Sequence, residues 1–218
     1  MSKLVWDQTG EKLYETGVEQ VALFPIEGGA YPKGVAWNGI SAFNVNPSGA
    51  EPTALYANNR KYLSLMSAEE MGGSIEAYMY PDEWAECDGS KAAVEGVYFG
   101  QQPRKMFGLA AKTLIGNDTE MNKHGYKLHL VYNALASVSE KAYSTVNDSP
   151  EVDPMSWEYT TTPIEVEGFE PTAYICIDST KADAAKLKAL EAIIYGSDDQ
   201  EARLPLPAEV IQLMSTGA

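Results

Sequence analysis

The stretch Ser74-Ile75-Glu76-Ala77-Tyr78-Met79-Tyr80 alternates with a period of two, Ile75, Ala77 and Met79 on one parity and Glu76, Tyr78 and Tyr80 on the other. Successive side chains of a strand point to opposite faces, so this stretch predicts a half-buried strand with a carboxylate and two phenols turned outward. The same alternation returns in Phe107, Leu109, Ala111, Thr113 and Ile115, and in Leu128, Leu130 and Tyr132 against Lys127, His129 and Val131. It appears again in Trp157, Tyr159 and Thr161 against Glu158, Thr160 and Thr162. Strands roughly 20 to 30 residues apart, each with a solvated face and no helical period between them, predict antiparallel pairing rather than βαβ crossovers.

Upstream of Ser74, the apolar phase of Val35, Ala36, Trp37, Ile40, Ala42, Phe43 and Val45 slips at Gly39, as in a strand bent by a bulge. Asn46 to Pro52 is dense in turn formers; Thr53 to Met66 is apolar and aromatic around Asn58-Asn59-Arg60-Lys61, which fits a hairpin or a kinked long strand. The N-terminal segment, broken by Gly10, Gly17, Pro25, Gly28 and Gly29, predicts an extended arm with one strand, Val21 to Phe24. Downstream, Thr180 with Asp183 resembles a capping box, and Leu187, Leu190, Ile193 and Ile194 form an apolar stripe closed by Gly196, so a helix is predicted over about 180–195. Beyond it, Pro205 and Pro207 argue against helix and central strand and predict a second extended arm. The expected fold is mostly β (α+β): an antiparallel β-sandwich with one helix, forming a single domain over 1–218. Its N-terminal arm and first strand occupy 1–33, its core 34–196 and its C-terminal arm 197–218.

The chain has 218 residues, 31 acidic and 16 basic, for a formal net charge of −15. Such a surface has no basic footprint for gripping nucleic acid or anionic lipid, and serves either solubility or the repulsion of something negative. Of the two cysteines, Cys176 lies in Tyr174-Ile175-Cys176-Ile177 and reads as a small buried hydrophobe, so no disulfide framework with Cys87 is expected. The opening Met1 to Asp7 lacks the apolar core of a secretion signal, and no stretch approaches the ~18 apolar residues of a membrane span, so a cytoplasmic setting is expected.

Two histidines, His124 and His129, leave no obvious base for a nucleophile, and no zinc spacing or phosphate loop occurs. The expectation is a protein that is not an enzyme, with no cofactor and no metal. Asp82, Glu83, Glu86 and Asp88, around Trp84 and Cys87, read as a solvated acidic loop. Arg104 and Lys105 form a small basic spot, which either neutralises a carboxylate on another copy of the chain or belongs to a plain surface loop. The 13 tyrosines and four tryptophans suit protein interfaces or carbohydrate stacking.

Several strings occur in order along the chain. They are Asp-Gln-Thr-Gly-Glu-Lys-Leu-Tyr-Glu-Thr-Gly-Val from Asp7, Gly-Val-Ala-Trp-Asn-Gly-Ile from Gly34, and Pro-Ser-Gly-Ala-Glu-Pro-Thr from Pro47. Tyr-Leu-Ser-Leu-Met-Ser-Ala-Glu-Glu from Tyr62 and Tyr-Pro-Asp-Glu-Trp-Ala-Glu-Cys-Asp-Gly from Tyr80 follow. Gly-Gln-Gln-Pro-Arg-Lys-Met-Phe-Gly-Leu from Gly100, Ile-Gly-Asn-Asp-Thr from Ile115 and Arg-Leu-Pro-Leu-Pro-Ala-Glu-Val from Arg203 extend the set over nearly the whole length. Together they resemble the major tail protein of long-tailed phages and prophages of Gram-positive bacteria.

The resemblance implies a tail-tube subunit: a β-sandwich with one helix, six copies closing into a ring, and rings stacking into a tube for the genome. It implies as partners other copies of the chain, a tape-measure protein, a tail terminator and tail-tip or baseplate proteins. Viral DNA would pass through without tight binding, in a virion tail assembled in the host cytoplasm. Within that expectation Glu76 is the lumen candidate, and Arg104, Lys105, Tyr14, Leu204 and Leu206 are the inter-subunit candidates. The alternative is a carbohydrate- or receptor-binding β-sandwich module displayed on a particle.

Overall fold

A computed structural model describes residues 3–145, 148 and 152–215; the outermost residues of both expected arms, 1–2 and 216–218, lie outside the described residues. In chain order the strands and helices are β1 (Tyr14–Pro25), β2 (Val35–Ala36), β3 (Ile40–Val45), β4 (Ser48–Gly49), β5 (Pro52–Ala57), β6 (Arg60–Met66), β7 (Glu69–Glu70) and β8 (Gly72–Ala77). There follow α1 (Trp84–Cys87), β9 (Lys91–Val94), β10 (Val97–Phe99), β11 (Phe107–Asn117), β12 (Met121–Ala136), β13 (Met155–Thr161), β14 (Tyr174–Asp178), α2 (Ala184–Tyr195) and α3 (Pro207–Ser215). The class is mostly β, as expected, and these strands pair antiparallel.

The main sheet runs β2-β1-β11-β12-β13-β8-β3, with β14 also on β12. Strand β12 is the branch point. Its earlier part, Lys127 to Val131, pairs with β14, and its end, Ala134 to Ala136, pairs with β13. The sheet thus divides into a β1-β11-β12-β14 layer and a β13-β8-β3 layer, and β3 returns to lie along β1. Between the layers sit Leu23, Ile75, Phe107, Leu109, Val131 and Tyr159 around three tryptophans, Trp37, Trp84 and Trp157. Glycine is required at Gly73, where a Cβ would collide with the Asn44 carbonyl oxygen and the Tyr159 ring.

The opposite face of β11 and β12 presents Ala110, Leu128, Leu130 and Tyr132 to Leu187, Leu190 and Ile194 of α2 and Val210 of α3. These two central strands are therefore buried on both faces over much of their length, where alternation predicts a solvated face. The polar parity is accommodated by partners brought by the fold: Lys112 forms a 2.8 Å ion pair with Glu191 of α2 and lies over the Tyr126 and Tyr195 rings.

Both arms differ from expectation. The N-terminal strand spans 12 residues and pairs along β11 from Tyr14↔Gly116 to Pro25↔Phe107, bulging twice instead of breaking at Gly17. At the other end, Gly34 N donates to Ala202 O at 2.7 Å and Leu204 N to Tyr31 O at 3.2 Å, so the chain folds back onto the body. Helix α3 then begins on Pro207, because proline is tolerated in the first turn, where its missing N–H has no intrahelical partner. Arg203 clamps its start by a bidentate pair to Glu209, with N···O distances of 2.9 and 2.6 Å. Among the described residues, three helical segments thus replace the single one expected. The expected one starts later than Thr180: Asp183 is its cap, its carboxylate accepting from Ala185 N and Lys186 N at 3.0 Å. Thr180 instead donates to Asp178.

The acidic segment 82–88 is also no simple solvated loop, since Trp84 and Cys87 of α1 are buried. Cys176, by contrast, is exposed. It shares the β14 parity opposite to Ile175 and Ile177, which pack toward the helices.

Candidate assembly surfaces

Strands β3 and β8 are the base of a long two-stranded ribbon. The pairing continues from Val45↔Gly73 through Ser48↔Glu70 and Pro52↔Met66 to Ala57↔Arg60, so the Asn46 to Pro52 stretch is an irregular part of the ribbon and no terminal turn. The hairpin alternative for 53–66 is the one adopted. Asn58 and Asn59 close it with φ of 52° and 58°, the left-handed pair that a two-residue hairpin turn of matching twist demands. From Ser48 to the tip the ribbon extends for roughly 30 Å at ordinary strand rise.

Its distal hairpin, β5 and β6, pairs only with itself. Tyr56 is 73% exposed, Tyr62 72% and Met66 68%, with Leu55, Leu63 and Leu65 also exposed. A lone hairpin is marginal in water, and a contiguous apolar surface of this kind marks a place that something else covers. A second, shorter hairpin, β9 and β10, exposes Val94, Val97, Tyr98 and Phe99 in the same way.

The outer face of β3, β8 and β13 has the opposite character. Ile75, Ala77, Trp157 and Tyr159 point into the core, leaving Asn44, Ser74, Glu76, Ser156, Glu158 and Thr160 outside. Asn44 Nδ2 donates to Ser74 Oγ at 3.0 Å across this face. None of the three strands contains a lysine or an arginine. Glu76 lies here, cross-strand from Ser156. Of the two phenols expected beside it, Tyr78 is exposed, whereas Tyr80 turns inward against Trp157 at 5.7 Å because the strand ends at Ala77.

The inter-subunit candidates do not come together. Tyr14 packs over Gly116 and donates to Asn122 Oδ1 at 2.8 Å. Arg104 donates to the Asp88 carbonyl at 3.2 Å, and Lys105 pairs with Glu86 at 3.3 Å and Glu27 at 3.7 Å, all within the chain. Leu204 is buried in the core beneath α3 and is unavailable to a neighbour in this conformation, while Leu206 is partly exposed. The ribbon and the β9-β10 hairpin, which each gather several exposed apolar residues, are absent from that set. Apolar residues on both parities, as in Tyr62-Leu63-Ser64-Leu65-Met66, are the signal that points to them.

A polar bridge ties β11, β12 and β14 together. His129 Nε2 lies 2.7 Å from Thr113 Oγ1 and its Nδ1 2.6 Å from Tyr174 OH, next to the Lys127–Glu15 ion pair. Burial, reinforced by the Lys127 charge, holds the imidazole below its ordinary pKa. The unfolded chain therefore takes up this proton first: its contribution to stability is complete above about pH 6.5 and is lost as pH falls through the lowered folded value. Urea midpoints compared at pH 7.5 and 5.5 should fall in the native chain and fall less in His129→Phe; equal slopes would remove His129 from the account.

Among the described residues no group of three or more histidine, cysteine or carboxylate side chains is gathered as a metal site requires. No helix among them is long and apolar enough to cross a membrane. No protein-family model and no curated protein sequence matches this chain.

Proposed function

We propose that the chain is a structural subunit that polymerises with itself into rings stacked as a hollow tube, the tail tube of a long-tailed phage or prophage. Six copies make each ring, and the two sheet layers correspond to the tail-tube type of β-sandwich. The observation that carries this assignment is that one pair of strands, β3 and β8, does two things. It contributes to an outer face without basic residues, and it runs on into an exposed apolar ribbon.

A conduit for DNA needs those two properties side by side. Its wall must not hold a polymer with one charge per ~1.7 Å, and its subunits must present apolar area to neighbours. The Glu76–Glu158 face suits the lumen, in keeping with the chain's net charge of −15. DNA passes without tight binding, and the tape-measure, terminator and tail-tip proteins meet the tube at its bore and ends. The chain has no catalytic role in this assignment.

Electron microscopy of the concentrated protein tests it. Hollow rings or tubes are expected, with Glu76 and Glu158 facing the bore in the reconstruction. Monomers that persist at high concentration and bind glycans would overturn the assignment in favour of a displayed carbohydrate-binding module, and a bore lined by another face would overturn the lumen assignment.

A further inference from the structure

On the far side of the molecule, β14, the 163–173 loop and α3 enclose an open groove of about 700 Å³. Its walls are apolar, made by Ile175 and Ile177 of β14, Phe169 of the loop, and Val210, Ile211 and Met214 of α3. Its surroundings are acidic. Glu165, Glu167 and Glu170 are exposed on the loop, and the sequence contains no lysine or arginine between Lys141 and Lys181. The cation in its lining, Lys181, is paired to Asp178 at 3.3 Å, and Lys186 beside it is tied to the Met214 carbonyl at 3.2 Å.

A matching ligand is apolar with a positive end. Among the described residues, three segments gather three or more exposed large apolar side chains. The β9-β10 hairpin carries one lysine and one glutamate, Lys91 and Glu95, and the Lys3-Leu4-Val5-Trp6-Asp7 segment likewise balances its charges. Only the β5-β6 hairpin combines Tyr56, Tyr62, Leu63 and Leu65 with two cations, Arg60 and Lys61, and no carboxylate between Pro52 and Met66. Nearly all of its residues are exposed, so it does not occupy the groove of its own chain.

Building on the self-assembly assignment, we infer that the β5-β6 hairpin of one copy docks in the β14-α3 groove of another, its Arg60-Lys61 end lying against Glu165, Glu167 and Glu170. The contact joins two different patches of the same chain. It therefore propagates copy to copy, closing into a ring or continuing as a stack according to the rotation it imposes. Acidic bodies that otherwise repel each other are brought together at a place where the sign reverses.

Cys176 turns to the face of β14 away from Ile175 and Ile177, and Cys87 is buried, so the groove-side crosslinking handle is placed at Ile211, exposed on α3, in a Cys176→Ser background. Ile211→Cys is combined in one chain with a ribbon cysteine, Leu63→Cys or Tyr62→Cys, and the chain is oxidised under assembly conditions and run on a non-reducing gel. A ladder of disulfide-linked multimers that is lost when either introduced cysteine is left out is expected. Charge reversal gives an independent check: Arg60→Glu with Lys61→Glu should lower the yield of assemblies at least tenfold, and Glu167→Lys with Glu170→Lys should restore it. Assemblies that form without a ladder between the ribbon cysteine and Ile211→Cys, or a reversal that the groove lysines fail to rescue, would place the ribbon elsewhere and overturn the docking. Failure of the unmodified chain to assemble at all would instead overturn the assignment on which it rests.

Discussion

Replacing residues 52–66 with a two-residue Asn-Gly turn is expected to leave a folded monomer that no longer assembles. The reason is the separation of the ribbon's roles. Its base, β3 and β8, belongs to the main sheet, whereas the removed strands pair only with each other. The cut ends are already adjacent, since Gly49 faces Glu69 across the β4-β7 pair and Ala50 N donates to Ser67 Oγ at 3.1 Å. Asn-Gly closes such a ribbon with the twist the flanking strands need. With no core residue touched, the urea midpoint should move by no more than about 0.5 kcal/mol equivalent, the ordinary range for surface changes. Sedimentation should meanwhile show the assembled species gone. A truncated chain that still forms rings or tubes in the unmodified yield would mean that the ribbon is not an assembly element. A large drop in stability would mean that it supports its own subunit.

Much of the fold is legible in the sequence because half-buried strands report themselves by period two. Ile75 against Glu76, and Trp157 against Glu158, give the β13-β8 layer its inner and outer faces directly. The β11-β12 pair is legible as strands but not as central ones. Lys112 and His129 occupy polar parities yet are buried, each compensated by partners distant in sequence, Glu191 in one case and Thr113 with Tyr174 in the other. Local pattern cannot supply such partners. The C-terminal segment misleads for a different reason. Pro205 and Pro207 signal a break, but a break followed by a helix and a break followed by an arm look alike until Pro207 is placed at a first turn.

The candidate surfaces divide the same way. Glu76 is reached from its parity alone, because an outward carboxylate on a half-buried strand is a local property. Leu204 and Leu206 differ by two residues yet have opposite fates: Leu204 bridges Tyr31 and is buried, and Leu206 remains partly exposed just ahead of α3. That choice depends on how the chain folds back after α2. Gly196, at φ 79°, begins the reversal in a conformation that suits glycine, and Arg203 N returns to the Ile193 carbonyl at 3.0 Å.

The largest expected loss of stability follows Trp84→Ala. Trp84 is fully buried, with its ring 4.6 Å from Trp37, 4.9 Å from Phe107 and 5.6 Å from Trp157 between ring centroids. It comes from α1, a single turn lying between the ribbon and the β9-β10 hairpin in sequence, and it is inserted like a plug between the two sheet layers. Truncation empties the centre of a cluster whose other members are held by strands and cannot collapse freely inward. Buried Trp→Ala changes of this kind cost about 3–5 kcal/mol, a large part of the ~5–15 kcal/mol that holds a domain folded. Urea unfolding followed by Trp fluorescence should show that loss, and one below about 1 kcal/mol would mean that the layers close without the plug. Trp84→Phe separates ring from indole N–H. The Nε1 donor has no hydrogen-bond partner among the described residues, and an unpaired buried donor costs about 1–3 kcal/mol, so the smaller ring forfeits volume but also removes that burden. The phenylalanine variant should therefore retain most of the native stability. If it falls as far as the alanine variant, the indole's full width, rather than its aromatic contacts alone, is what keeps the β1-β11-β12-β14 and β13-β8-β3 layers at their spacing.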